Sequence, residues 1–354
     1  MFLHTKESEF SPHESYPANS YGAWLIYWIE NFRQPGDVVK ESTYVNYHYL
    51  ARAYILPRLG RLSLDALGPE QLQEFFFFLR RAGRRQREGG ISVKFLHDIY
   101  SLVNLSLQQA LIYGRARCNP CAQVVLPPLK ETHSRVLDLG EQYRIEAALA
   151  QNSDPRALAV WIALYAGLRV GEVSALTWGS VDLERRCLWV TQTMIRLQVP
   201  GNTAGAPKTK VVVSAPKTKT GKRRIPLPET LRALLAARRK TLAPALAQPG
   251  CFVVCQRNGR YWEPRALERY FEKVAAQAQV ESAHFHCLRH TFATRSYELG
   301  MDLKTLSELL GHARPETTQK LYVHSLDEHK AAAIQVLDHL PWRERGAVPI
   351  PAAI

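Results

Sequence analysis

In the first third of the chain, apolar residues recur at the three- and four-residue spacing of a helix with one buried face. Trp24, Leu25, Trp28 and Phe32 set the first such stripe. Ser42-Thr43-Tyr44 opens a second helix. Leu56-Pro57 should end it, since proline lacks an N–H and biases its predecessor away from the helical region. Gly68-Pro69-Glu70 starts a helix carrying Phe75-Phe76-Phe77-Phe78-Leu79, a run read as core. Arg80, Arg81, Arg84, Arg85 and Arg87 are expected in a glycine-punctuated loop after it. Ser92 then caps a long helix through Tyr113.

Asn119-Pro120 through Pro127-Pro128-Leu129 reads as a linker, because proline-rich polar segments resist helix and sheet alike. Beyond it, Glu141 to Ala150 and Arg156 to Tyr165 read as helices, the second stopped by Gly167. Cys187 to Arg196 alternates like a strand, and Val211-Val212-Val213 and Arg224-Ile225-Pro226-Leu227 look like further short strands. Helical patterns return at Glu229–Lys240, Arg265–Gln279, His286–Leu299, Asp302–Leu310, Pro315–Tyr322 and Leu326–Leu340. The expected organisation is a tail over 1–20, an all-α domain over 21–117 and a linker over 118–136. A mostly helical α+β domain with a small antiparallel sheet follows over 137–340, then a tail over 341–354.

Charge changes this picture more than composition does. The 354 residues carry 46 Lys and Arg against 32 Asp and Glu, a formal net charge of +14, which favours a polyanionic partner. No apolar run reaches the roughly 18 residues of a membrane helix. The start, Met-Phe-Leu-His-Thr-Lys-Glu, lacks a secretory h-region, so a cytoplasmic protein is expected. Cys118-x-x-Cys121 and Cys251-x-x-x-Cys255 lie far apart with only His133 after the first pair, and read as packed thiols rather than a zinc site.

Four clusters carry candidate chemistry. In Gly167-Leu168-Arg169-Val170-Gly171-Glu172, the arginine follows a helix-ending glycine and can aim its planar fork at an oxyanion. Glu172 lies one helical turn on, close enough to orient it. Taken alone, such a pair is ordinarily a surface salt bridge. Between Leu197 and Pro228 lie five Lys and two Arg and no acidic residue. Charge runs are usually solvated faces; the alternative is a hairpin laid along a nucleic-acid groove, delivering one lysine to a phosphate. His286 and Arg289, three apart near a helix start, share a face and suit a phosphate clamp, whereas His290 reads as a packed or capping residue and His284 as loop surface. Gly311 ends one helix and Pro315 starts the next, which puts His312 in the turn between them and Tyr322 two turns further on. Two Arg, one Lys, two His and a late Tyr suit phosphoryl transfer without a metal or other cofactor. Fixed cations stabilise the charge that builds up, and tyrosine acts as covalent nucleophile.

In content and order these boxes resemble the tyrosine recombinases, the phage-type integrases, over nearly the whole chain from about Trp24 to Leu326. The matching residues are Gly167-Leu168-Arg169-x-Gly171-Glu172, Lys217 ahead of Arg223-x-Ile225-Pro226-Leu227, His286-x-Leu288-Arg289-His290, Leu310-Gly311-His312 and Tyr322. Ser42-Thr43-Tyr44, Ile55-x-Pro57-x-Leu59-Gly60 and Asn119-Pro120 look like the family's helical core-binding domain. The resemblance implies a clamp around duplex DNA in which Arg169, Arg289 and His312 hold the scissile phosphate. It further implies that Lys217 protonates the leaving 5′ oxygen, His286 assists proton transfer, Glu172 supports the site and Tyr322 joins the 3′ phosphate. Two exchanges among four protomers would pass through a Holliday junction without ATP. The free protein would be a monomer or weak oligomer, and accessory DNA-bending or directionality factors fit the same scheme. The duplicated Ala-Pro-Lys-Thr-Lys makes Lys208 and Lys219 rivals of Lys217, which is preferred for its spacing to Arg223 and Ile225-Pro226. Arg80, Arg81, Arg84, Arg85, Lys208, Lys210, Lys219, Lys222 and Arg223 are the expected DNA-facing cations.

The long hairpin looks like that of mobile-element integrases, although residues 1–20 are too short for the extra arm-binding domain many of them carry. Leu326, Ala333, Ile334 and Leu337 give the last helix an apolar stripe that could dock on its own core or on a neighbouring protomer, and the resemblance favours the neighbour. Two other readings compete. A silent DNA-binding module predicts a damaged box, and none is damaged. A type IB topoisomerase-like enzyme would use similar residues without exchanging partners.

Overall fold

The computed structural model describes residues 16–36, 38–85, 88–130, 134–199, 209–215 and 221–312. The expectations for Arg87, His133, Lys208, Lys217, Lys219, Tyr322, the two last helices and the C-terminal tail lie outside these residues. The chain separates into two units, Met1–Glu131 with Arg196–Lys210, and Thr132–Ile195 with Val211–Ile354.

The first unit is helical: α1 (Tyr21–Phe32), α2 (Glu41–Leu50), α3 (Leu56–Leu59), α4 (Pro69–Ala82) and α5 (Val93–Ile112). The α1 stripe is buried at Tyr21, Trp24, Leu25, Trp28 and Ile29. Two of its polar tips are satisfied by α5, where Trp24 Nε1 donates to the Ser106 carbonyl at 2.9 Å and the Tyr21 hydroxyl meets Ser106 Oγ at 2.8 Å. Ser92 caps α5 as its position suggests, accepting from Phe95 N at 3.2 Å.

Three expectations need correction here. The helix begun at Glu41 does not stop at Leu56-Pro57. Residues Ala51–Ile55 form a π turn, and the Leu56 N–H reaches the Ala51 carbonyl five residues back. Pro57 then falls in the first turn of α3, where a missing N–H costs nothing. The phenylalanine run divides: Phe75 and Phe76 are buried, whereas Phe77 is 60% exposed and Phe78 lies beneath the Arg58 guanidinium. Arg80 and Arg81 belong to the last turn of α4 rather than to the loop, complementing the helix dipole, and Arg80 Nη1 also holds the Ile91 carbonyl at 3.1 Å.

The segment read as a linker starts as part of this unit. Pro120–Gln123 forms a 3₁₀ turn capped by Asn119, with Cys121 buried. Val125 exchanges two hydrogen bonds with the Gln73 side chain, at 2.8 and 3.1 Å.

The second unit places α6 (Leu139–Ala150), α7 (Ala157–Ala166) and α8 (Val170–Ala175) ahead of its strands. The strands are β1 (Val181–Asp182), β2 (Cys187–Val190), β3 (Thr193–Gln198), β4 (Thr209–Ser214) and β5 (Arg223–Pro226), and the division between the units falls within β3 and β4. Four helices close the second unit: α9 (Glu229–Thr241), α10 (Pro264–Gln277), α11 (Phe285–Glu298) and α12 (Leu303–Leu310). Helix α7 is apolar around nearly its whole circumference and forms the centre of the core, packed against α11. β1, β2 and β5 make an antiparallel sheet with Leu188 opposite Ile225, and β3 pairs with β4 in a separate two-stranded hairpin. The single strand expected over Cys187–Arg196 is therefore two. It breaks at Thr191-Gln192, where Gln192 Nε2 turns aside to donate to the Ala175 carbonyl at 2.9 Å. No helix among the described residues is long and apolar enough to cross a membrane.

Candidate active site

The site grows from the two ends of α7 and α12. Gly167 stops α7 in the left-handed region (φ +64°), a conformation that costs glycine least, and its missing Cβ leaves room for the Phe292 ring. The chain restarts as α8 with Arg169 at its N-cap. Glu172 returns one carboxylate oxygen to the Arg169 N–H at 2.9 Å, and its other oxygen accepts from Arg169 Nη1 at 3.0 Å. A carboxylate on the first turn also complements the helix dipole. Gly171 makes this turn possible, because a Cβ there would come within 2.5 Å of the Met194 carbonyl. The pair is no surface salt bridge: the Glu172 side chain is 4% exposed, whereas that of Arg169 is 40% exposed and lines a cleft.

Glu172 has a second partner, Arg223. Arg223, at the start of β5, was expected among the DNA-facing cations. Its side chain is 5% exposed and forks onto both Glu172 oxygens at 3.0 and 2.9 Å. The two guanidiniums hold the Glu172 carboxyl at about 2, against the pull of its burial. A signal for this was present in the strand period: Arg223 shares a face with Ile225, which is core, while Lys222, Arg224 and Pro226 point outwards.

Arg289 enters from α11. Its Nη1 donates to the Gly167 carbonyl at 2.7 Å, and Nη2 donates to the Leu310 carbonyl and lies 3.0 Å from His312 Nε2. Gly311 (φ +64°) ends α12 in a double-bonded turn, its N–H reaching the Glu308 carbonyl at 3.0 Å and the His312 N–H that of Ser307 at 3.1 Å. That turn fixes His312 against Arg289. A guanidinium has no acceptor, so His312 Nε2 carries a lone pair and the proton sits on Nδ1.

His286 follows one residue after α11 begins, and its ring meets His290 edge-on with centroids 4.5 Å apart. Arg169, His286, Arg289, His290 and His312 thus share one cleft of about 460 Å³. His290, read as a packing residue, therefore lies in the site, as its i,i+4 relation to His286 allows. Its Nδ1 is buried without a hydrogen-bond partner. His284 is exposed at the N-cap of α11, as expected. Of the basic residues proposed to face DNA, Arg84, Arg85 and Lys222 are exposed, and Lys210 pairs with Glu41 at 2.6 Å in the first unit.

Removal from water, then the neighbouring Arg289 and Arg169, push His286 and His312 down to about 4. Burial, then His286 and Arg289, do the same to His290, also about 4. All three rings are neutral at pH 7. Three guanidiniums, those of Arg169, Arg223 and Arg289, thus gather around the Glu172 carboxylate and the turns it braces.

A stability profile follows. Each of these histidines has a folded value below its ordinary 6.5, so the unfolded chain binds more protons between about 4 and 6.5. Their contribution is complete above 6.5 and lost as pH falls towards 4. Glu172 adds stability present above 4.5 and lost towards 2. The thermal midpoint should fall steadily from pH 7 to pH 4.5, and a flat profile across that window would contradict the neutral-histidine site.

Residues 135–329, more than half of the chain, match the model described as "Phage integrase family", and residues 20–79 match "Phage integrase, N-terminal SAM-like domain". The chain belongs to the phage integrase family, the tyrosine recombinases. Like other members, this integrase-family enzyme cuts and rejoins DNA. It is 27% identical over 334 residues to a "Tyrosine recombinase XerC-like" of Caldanaerobacter subterraneus subsp. tengcongensis, covering 90% of this chain and 81% of that protein. It is 23% identical to the "Transposase from transposon Tn916" of Enterococcus faecalis, covering 90% and 78%. Among solved structures, its fold matches the Tn1549 transposon integrase in complex with a circular intermediate DNA, with TM-score 0.70 at 20% identity over 89% and 99% of the two chains. A lambda integrase dimer bound to a core site matches with TM-score 0.64 at 19% identity, over 85% and 95%.

Proposed function

We propose that this recombinase cleaves each strand at a phosphodiester held by Arg169, Arg289 and His312, and that it integrates or excises a mobile element. The observation that carries the reading is the one cleft that gathers Arg169, Arg289 and His312 beside His286. A phosphodiester brings one negative charge, and its equatorial oxygens gain more on the way to the transition state, where preorganised donors count most. Arg169 keeps a solvent-facing fork for those oxygens, and the buried Arg289 holds His312 beside them.

The step balances without an external cofactor. The Tyr322 hydroxyl loses its proton and its oxygen bonds to phosphorus. The bond from phosphorus to the 5′ oxygen breaks, and Lys217 gives that oxygen a proton. His286 assists by taking or passing the tyrosine proton, a task suited to a ring that is neutral at pH 7. The product is a 3′-phosphotyrosine and a free 5′ hydroxyl, and attack by the partner strand's hydroxyl reverses the step. Four protomers on two synapsed duplexes would complete two such exchanges through a Holliday junction, in the cytoplasm and with accessory DNA-bending factors where the site requires them. The likeness to transposon integrases supports the mobile-element role.

Duplex binding tests the DNA-clamp part of this reading. With +14 net charge and roughly 6–10 phosphates neutralised, affinity should fall about 10³–10⁵-fold between 50 and 200 mM salt. A nearly flat salt titration would remove its electrostatic basis.

A further inference from the structure

Arg223 is the one guanidinium of the cluster that does not line the cleft, yet it makes four hydrogen bonds. Besides the two to Glu172, its Nε donates to the Leu309 carbonyl at 2.6 Å and its Nη1 to the Gly221 carbonyl at 3.2 Å. Helix ends leave their last carbonyls without partners. At the end of α12, two arginines take them: Arg223 holds Leu309 and Arg289 holds Leu310. His312 comes directly after this double clamp. The same guanidinium sets the carboxylate against which Arg169 is held, and it sits where the chain returns from the segment containing Lys217.

We infer that Arg223 is a positioning residue for strand cleavage, fixing Arg169 through Glu172 and His312 through the Leu309 carbonyl, so that both meet one phosphate in register. This rests on the reading that Arg169 and His312 hold that phosphate. The Arg223 side chain is closed off from solvent, so it acts through the groups it holds. The forked geometry is essential. A lysine supplies the same charge at a single point and cannot hold two carboxylate oxygens and a carbonyl at fixed angles. Loss of the fork should let Arg169 and the His312 turn drift, and misplacement of about 1 Å can cost about 10²-fold in rate.

The test compares full-length wild type, Arg223→Lys and Arg223→Gly. The probe is a nicked duplex carrying the sequence that the wild type selects from random DNA. Three quantities are read: duplex affinity, thermal midpoint and the single-turnover rate of covalent protein–DNA adduct formation. Arg223→Lys should keep duplex affinity near wild type while its adduct rate falls about 10²-fold. Guanidinium ion at millimolar levels should raise the Arg223→Gly rate and leave the wild-type rate unchanged. A wild-type adduct rate in Arg223→Lys would overturn the positioning role. So would a rate loss matched by an equal loss of affinity, or a folded Arg223→Gly that guanidinium ion does not help. Should Arg223→Gly fail to fold, the Arg223→Lys comparison decides. A wild type that forms no adduct on its own selected site would overturn the phosphate-holding reading as well, which separates the two failures.

Discussion

Arg289→Lys should cut strand cleavage by about 10²–10³-fold, the cost of removing one preorganised donor from a developing oxyanion, and lower the thermal midpoint as well. Both effects come from one side chain. Arg289 is 3% exposed and is held between the Gly167 and Leu310 carbonyls, with His312 against it. A lysine reaches one of these groups at best. Each buried carbonyl left unpaired costs about 1–3 kcal/mol, and the carbonyls belong to the two turns that carry Arg169 and His312. The variant should therefore lose order at Arg169 and His312 together. Arg223→Lys, in contrast, removes no group from the cleft. Single-turnover cleavage and thermal unfolding of the two lysine variants check this: Arg289→Lys must be the more damaged in both. An Arg289→Lys enzyme within about tenfold of wild type would place the oxyanion donor elsewhere.

Much of this site is legible because its geometry is local. Gly167 followed by Arg169 and Glu172 sets a left-handed stop, an N-cap and a reciprocal first-turn bond within six residues, and all three appear where spacing puts them. Gly311 before His312 works in the same way. Ser92 and Gly68-Pro69 mark helix starts by capping chemistry that needs no distant partner. The failures occur where a distant group satisfies what local rules count as unsatisfied. Pro57 ends a helix by rule, but the π turn before it supplies a register that tolerates the missing donor. At the break between β2 and β3, Gln192 is bonded to the Ala175 carbonyl, seventeen residues back. Val125 is not part of a loose linker because Gln73, fifty-two residues earlier, binds its backbone. Arg223 is the instructive case. Its charge and its basic neighbours suggest DNA, whereas the strand period, read against Ile225, points it inwards to a carboxylate fifty-one residues away. Periodicity outranks charge there, because burying an unpaired guanidinium would be prohibitive and Glu172 removes that cost.

Tyr322→Phe should abolish covalent chemistry altogether while sparing folding and DNA binding. The substitution removes a single oxygen and almost no volume. Tyr322 follows His312 by ten residues, across the Pro315 step, and closes the order of boxes that the family match spans. A free tyrosine hydroxyl has a pKa of about 10, so attack at neutral pH requires the cations of Arg169 and Arg289 beside the phosphate. Two other tyrosines do not fit: Tyr270 is buried in the α10 core, where loss of hydration raises its hydroxyl to about 12, and Tyr297 packs against the small cluster of α11 and α12. The decisive measurement is formation of a denaturant-resistant adduct on a nicked duplex carrying the selected site, followed by peptide mapping of the attached residue. The account predicts an adduct in the wild type, mapped to Tyr322 and bonded to a 3′ phosphate, and none in Tyr322→Phe. A Tyr322→Phe protein that still formed the adduct, or a wild-type adduct mapped to another residue, would contradict it.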